Sequence, residues 1–435
     1  MLKTMQLKDS EQYIRDLSSA NNEPQWLLKK RLAAYNIFKE KPMPNFIYGL
    51  NISMNIDLNL GDIDVNKSGK SNLEVKNPNK NIIIENFNGM LKNHENILKE
   101  KLMSIVPATE KFTSFHNAFL NNLTFVYVPK NTEVKEPIEL SSTIDSNTFD
   151  HLIVLAEDNS KFTLVENSKS NNENSNKKEF NKNKIIENNN ESKINAINGK
   201  IIDNNSNENN NQTYGSKIVE LFIGNNCNVN YGNVQLLNQN TFNFTIKKAA
   251  IGSNSTINWM DCCFGSKVTL SEVTTLLNGD GAQTNNYGIF FGSKNQQFDL
   301  VTTSIHNAPH TTSDIFTKGA LTGTSKGMYR GLVKINENAF GSNGYQKEDT
   351  LLLSEDAAAD SIPNLEINNN DVRCTHGASI GRIDREKMFY LQSRGLNEEQ
   401  ATKEYVKGFF EVLIQKIQIQ NLRDNMHKMI EERME

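Results

Sequence analysis

The chain has little of what most function classes require. Its 435 residues hold four cysteines, Cys227, Cys262, Cys263 and Cys374, and no two form a CxxC pair. A self-contained zinc or cluster site of the usual spacing is therefore not expected. Adjacent Cys262 and Cys263 on a strand point to opposite faces, which argues against joint ligation of one ion. Together with Cys227 they read as small buried hydrophobes. No apolar run of about 18 residues occurs, so no segment is expected to span a membrane. A net charge of -4 leaves no basic footprint for nucleic acid. The opening MLKTMQLKDSEQYIRDLSS lacks an apolar core and carries acids early, which fits neither a signal nor a transit peptide; the chain reads as cytoplasmic. No nucleophile elbow, P-loop, Rossmann fingerprint or HExxH is found, and Gly279-Asp-Gly281 is a turn outside any phosphate-loop context. These absences remove most enzyme classes.

What is present implies two or three structural units, since this length exceeds one ordinary core. Residues 1–105 read as a mixed, partly helical region. Asp9 or Ser10 caps a short helix through Leu17. A better helix runs from about Glu23 to Lys39, with Pro24 in its first turn and Leu28, Leu32, Tyr35 and Phe38 at helical spacing. Another is expected across Asn93–Met103, with strands and loops between 45 and 88. Residues 106–381 read as a β core. Within them, 167–213 interrupt the pattern: about 18 of these 47 residues are Asn, with Ser, Lys and Glu filling most of the rest. Such a segment cannot bury enough surface to offset its ordering entropy and reads as a disordered insertion.

After the insertion short strands follow at Lys217–Ile223, Asn228–Leu236, Phe242–Ala249, Thr256–Cys262, Lys267–Leu276 and Tyr287–Phe291. Their punctuation repeats as Ile223-Gly-Asn-Asn, Ile251-Gly-Ser-Asn, Phe264-Gly-Ser-Lys and Phe291-Gly-Ser-Lys. Corners between stacked strands need a positive φ or a close backbone approach, and glycine supplies both. A recurring corner without long helices favours a β-helix over a sandwich. Residues 382–435 turn helical: Asp384 caps a helix that Gly395 stops, and Asn397 with Gln400 forms a capping box for the next. Val406, Phe409, Phe410, Leu413, Ile414 and Ile417 make a broad stripe, wide enough for packing on the β core and for a partner protein.

Two groups of residues invite a metal reading. His306 and His310 share HxxxH spacing, but Pro309 and the small polar surroundings oppose a helix, so hydrogen bonding is the expected role. Cys374 and His376, two apart in an extended segment, project from one face. A thiolate beside an imidazole suits iron or zinc, yet two ligands are too few unless a second chain completes the site.

The residues carry a resemblance. The run HNAPHTTSDIFTKGALTGTSKGMYRGLVKI from His306 to Ile335 closely resembles the SufB/SufD family of iron–sulfur cluster assembly scaffolds, as do LLLSEDA from Leu351 and MFYLQSRGL from Met388. Weaker similarity covers Glu23–Arg31 and Phe119–Ile138. SufB-like chains carry a sulfur-accepting cysteine shortly after Pro-x-x-Glu; here Pro363-Asn-Leu-Glu366 is followed by Ile367. The segment Asp371-Val-Arg-Cys-Thr-His-Gly looks like the SufD branch.

The resemblance implies a right-handed parallel β-helix flanked by helices, acting as a non-catalytic scaffold subunit. It implies pairing with SufB through the β-helices, and the SufC ATPase bound by the C-terminal helices, with Phe409, Leu413 and Ile417 helping to present that surface. His376 matches a SufD histidine proposed to serve iron acquisition or nascent-cluster binding, with Cys374 beside it. Iron or a cluster would be held transiently, as cargo shared with SufB, while sulfur comes from a desulfurase or sulfur carrier. A homodimer in isolation and a flavin in the complex stay open. Two other readings were weighed. A carbohydrate-active β-helix enzyme would need clustered acids, whereas Asp261, Glu272, Asp280 and Asp299 are scattered. A self-sufficient SufB-like chain is opposed by Ile367.

Overall fold

The computed structural model describes residues 7–48, 52–54, 56, 58–65, 69, 72–77, 79–170, 212–417 and 420–434. It is mainly β, a parallel solenoid of about eight coils with helices at both ends, as the corner motif and the resemblance led one to expect. Two helices open the chain, α1 (Leu7–Ala20) and α2 (Gln25–Glu40). The buried face of α2 is Leu27, Arg31, Ala34, Tyr35 and Phe38; Tyr35 and Phe38 stand as read in the sequence, Leu28 and Leu32 pack at its margin, and the face is wider than the apolar spacing gives. The cause is Arg31, which lies fully buried against Glu23 and donates to the Ala118 carbonyl; apolar spacing cannot register a buried ion pair.

Next come a short antiparallel ribbon, β1 (Ile47–Tyr48) with β2 (Ile52–Ser53), then β3 (Asn72–Lys76) and β4 (Ile83–Asn86). Helix α3 (Phe87–Asn93) follows, and the helix expected at Asn93–Met103 is α4 (Glu95–Lys101), parted from it at His94. A further helix, α5 (Lys111–Phe119), falls where a β region was expected to begin. Every residue from Phe112 to Phe119 is buried. Phe112, Phe115 and Phe119 keep helical spacing, but a nine-residue run is too short to be told from a strand by spacing.

Each coil contributes two strands. The first four coils are β5 (Asn122–Val128) with β6 (Ile138–Thr143), β7 (Thr148–Ala156) with β8 (Lys161–Lys169), β9 (Thr213–Ile223) with β10 (Asn228–Leu236), and β11 (Thr241–Ile251) with β12 (Thr256–Cys263). The last four are β13 (Val268–Leu277) with β14 (Gln283–Gly292), β15 (Gln297–His306) with β16 (Thr312–Leu321), β17 (Lys326–Ile335) with β18 (Ser342–Leu352), and β19 (Ala358–Ile367) with β20 (Val372–Arg382). Odd strands stack into one parallel sheet and even strands into another. Alternate side chains turn into the solenoid. Cys262 and Cys263 accordingly face opposite ways, into separate apolar clusters.

Residues 167–169, expected within the insertion, extend β8 because they pair in register with Val234, Gln235 and Leu236 of β10, and Thr213 opens β9. Residues 171–211, the rest of that expected insertion apart from Ser170 and Gln212, lie outside the described residues.

Corners repeat with a definite geometry. Left-handed backbone recurs at Asn131, Asn159, Asn226, Asn254, Gly281, His310 and Gly341, with φ between 54 and 69°. Each of these amides donates to a carbonyl of the following coil. The glycines read as corner residues, Gly224, Gly252, Gly265 and Gly292, are not left-handed; they serve the close approach instead. A Cβ on Gly252 would stand 2.8 Å from the Gly224 carbonyl oxygen, and one on Gly265 would overlap the Leu237 backbone. Asparagine ladders clamp successive coils: Asn258 donates to Asn230 at 2.9 Å and Asn285 to Asn258 at 2.7 Å.

Three helices end the chain, α6 (Arg385–Ser393), α7 (Glu398–Ile414) and α8 (Gln420–Arg433). Asp384 caps α6 through the Glu386 amide, Gly395 turns out at φ 97°, and Asn397 and Gln400 form the expected capping box. Helices α7 and α8 lie on the outer face of the even sheet, burying Val406, Phe410, Leu413, Ile414 and Ile417 against Met260, Ile289, Phe291 and Phe316.

Candidate functional site

The two ends of the solenoid differ. At the first coil, β3 pairs antiparallel with β6 and β4 with β5, so both sheet edges are covered. Ile82, Leu73 and Ile84 plug the interior. At the last coil, β19 and β20 are the outermost strands of their sheets. Among the described residues nothing pairs with their outer edges, and Ile367 and Ile380 are 40% and 37% exposed.

Cys374 and His376 lie on β20, on this open coil. Cys374 is half-buried at the edge of an apolar cluster. Room for its sulfur comes from Gly344 of the preceding coil, where a Cβ would stand 3.0 Å from Sγ. Burial raises the thiol pKa. His376, one alternation on, pairs in register with Gln346 and is exposed. Among the described residues no three His, Cys, Asp or Glu side chains gather into a metal site, so this pair is at most part of one.

Beneath the open coil the interior is polar, and its charges are distributed unevenly. Glu166 meets Lys217 and the Tyr231 hydroxyl in the earlier coils. Asp261 accepts from Lys247 at 3.2 Å, from Ser271 at 2.9 Å and from Asn233 at 2.7 Å. Nearer the open end Glu348 accepts from Thr350 but has no cation beside it among the described residues. Burial pushes its carboxyl up to about 7. The sequence showed Glu348 and Gln346 only as polar positions in a strand; no local signal marks them as inward-facing until register is known.

His306 is buried between Thr311 Oγ1 at 2.8 Å and Ser313 Oγ at 2.9 Å, and burial depresses its pKa to about 4. His310 occupies a left-handed corner with its ring edge-on to Phe340. The hydrogen bonding expected of the pair is thus made by His306, while the contact of the His310 ring is with Phe340. In the C-terminal stripe, Leu413 and Ile417 are buried against the sheet, and Phe409 lies under the Lys318 ammonium at 3.8 Å. They hold α7 in place. The outward apolar surface comes from residues not singled out before: Phe389, Tyr390 and Val412, which are 73%, 57% and 56% exposed. The contiguous Met388-Phe-Tyr-Leu in a nine-residue helix was the available signal, since so short a helix cannot cover all four.

The family profile described as "SUF system FeS cluster assembly, SufBD core domain" matches residues 180–409, slightly more than half of the chain. Proteins described as "Iron-sulfur cluster assembly SufBD family protein" from Staphylococcus haemolyticus (strain JCSC1435) and Staphylococcus aureus (strain USA300) are each 26% identical over 450 aligned positions. Each alignment covers 92% of this chain and 88% of the relative.

Proposed function

This chain belongs to the SufBD core family of the SUF iron–sulfur cluster assembly system, and on that premise we propose that it is a cytoplasmic SufD-type scaffold subunit without catalysis of its own. It pairs with a SufB chain through the open end of the solenoid and binds the SufC ATPase through the C-terminal helices. Iron or a nascent cluster is cargo, held transiently at the junction by His376 and Cys374 with ligands from SufB, and sulfur is delivered by a desulfurase or carrier. A homodimer of this chain is the state expected when SufB is absent.

The observation that carries the reading is the uncovered last coil. Exposed strand edges and an exposed interior are an aggregation hazard unless a partner covers them, and Cys374 and His376 stand on that coil. Ile367, at the position where SufB-like chains carry their cysteine, supports the SufD assignment. A neutral imidazole and a thiolate can each bind ferrous iron, and two ligands give a labile site that can release what it holds. For SufC, the exposed Phe389, Tyr390 and Val412 supply an apolar surface on helices held by Phe409, Leu413 and Ile417.

Co-expression with the SufB and SufC chains of the same genome is the test. The three should co-purify. His376→Ala should leave the complex assembled while lowering its iron and cluster content, and Cys374→Ser should do less. Normal assembly with normal cluster content in His376→Ala would reject the cargo role.

A further inference from the structure

At and just below the open coil, three buried side chains and the half-buried Ser361 leave polar atoms without a well-formed hydrogen bond: the Tyr329 hydroxyl, both amide atoms of Gln346, Glu348 Oε2 and the Ser361 hydroxyl. They belong to three strands, and the register brings them together. Tyr329 of β17 stands beside Ser361 of β19, while Gln346 and Glu348 project from β18 into the same interior, two residues apart. Gly331 opposite adds room, since a Cβ there would overlap the Gln346 amide. Native interiors seldom leave such atoms unmet, and a cluster of them implies a guest.

The donors decide which guest. One carboxylate, an amide carbonyl and two hydroxyls form an all-oxygen set, and all-oxygen sets take hard or borderline divalent cations with water completing the shell. The comparison with the earlier coils points the same way. Glu166 and Asp261 each have a lysine inside the solenoid, and Glu348 has none among the described residues. We propose that Glu348, Gln346, Tyr329 and Ser361 bind a hydrated divalent cation inside the last coils. Access runs through the open end, where the residues in register above Glu348 and Gln346 are the small, exposed Ala378 and the exposed His376. If the cargo reading above holds, the cation in the cell is ferrous iron waiting one coil below His376; the interior site itself does not depend on that reading.

Manganese, whose free ion is counted by electron paramagnetic resonance, is the probe for the isolated full-length chain. Wild type should bind one ion that Glu348→Gln, an isosteric change, binds at least tenfold more weakly. The double variant His376→Ala/Cys374→Ser should keep it. Equal binding by Glu348→Gln and wild type, absence of binding by wild type, or loss of the ion in the double variant would each overturn a separate interior site. Anaerobic ferrous iron should show the same ranking. Normal cluster content in His376→Ala, by contrast, would reject the cargo reading and leave this site standing.

Discussion

The two ends of the solenoid are built from the same coil and finished in opposite ways. At the first coil the chain covers the edges with β3 and β4 and the interior with Ile82, Leu73 and Ile84, while the N-terminal helices pack on the outer face of the odd sheet and bury a fully enclosed Arg31–Glu23 pair. At the last coil it stops. Among the described residues nothing pairs with the outer edges of β19 and β20, inward-facing Ile367 and Cys374 meet solvent, and the interior carboxyl Glu348 lacks the lysine that its counterparts have. Backbone groups at a strand edge and apolar side chains in a core impose the same costs at either end. Under the proposed function, the difference marks the end that a SufB chain would complete.

The largest effects should come from the closed end. Arg31 donates to both Glu23 oxygens, at 2.8 and 2.7 Å, and to the Ala118 carbonyl at 3.2 Å. Arg31→Ala leaves Glu23 buried and unpaired, for which about 3–5 kcal/mol of lost stability is expected in urea unfolding. Arg31→Met with Glu23→Leu should recover much of that loss, because what is costly is the abandoned charge and not the missing attraction. A mild phenotype for the single variant would mean that the end regarded as closed admits water.

An intermediate effect is expected at Glu348, and its sign is opposite. Its folded-state pKa of about 7 lies above the unfolded carboxylate value. The unfolded chain thus gives up the proton first, and stability falls as pH rises from about 4.5 through 7. Glu348→Gln removes that slope. It should stabilise the isolated chain by about 2–3 kcal/mol at pH 8 and change little at pH 4, in chemical denaturation at each pH. His306, depressed to about 4, works the other way: its contribution is present above about 6.5 and is lost as pH falls toward 4. If excess manganese narrows the gap between wild type and Glu348→Gln at pH 8, a bound cation has supplied the missing charge.

Much of the solenoid was legible in the sequence because its signals are local. The short strands from Lys217 to Phe291 and the capping residues Asp384 and Asn397 stand close to where the sequence put them. The corner glycines stood where read, though the left-handed residue is the asparagine two places on at Asn226 and Asn254. What escaped depends on long-range packing. Helix α5 is too short for its period to decide, the buried face of α2 is widened by an ion pair, and Leu413 and Ile417 are spent on the chain's own sheet. The pairing of Cys374 with His376 on one strand could be read from spacing alone. Their position on the terminal coil, above Gln346 and Glu348, could not, since register emerges only when all eight coils are stacked.

The smallest expected effect tests the open end most directly. Within the solenoid a glycine is held by its neighbours: a Cβ on Gly279 would overlap the Ser253 backbone, and one on Gly319 would enter the Phe290 ring. On β20, Gly377 and Gly381 have nothing within 4 Å of where a Cβ would be. Glycine in a strand carries an entropic cost, so one that nothing inside the chain requires points to a backbone or ligand approaching from outside. Gly377→Ala should leave the stability of the isolated chain within about 0.5 kcal/mol of wild type, while weakening co-purification with SufB. Gly279→Ala should do the reverse damage, lowering stability first and pairing only as a consequence. Unchanged pairing in Gly377→Ala would show that whatever covers the last coil does not approach at His376. The cargo site would then have to be sought elsewhere along β19 and β20.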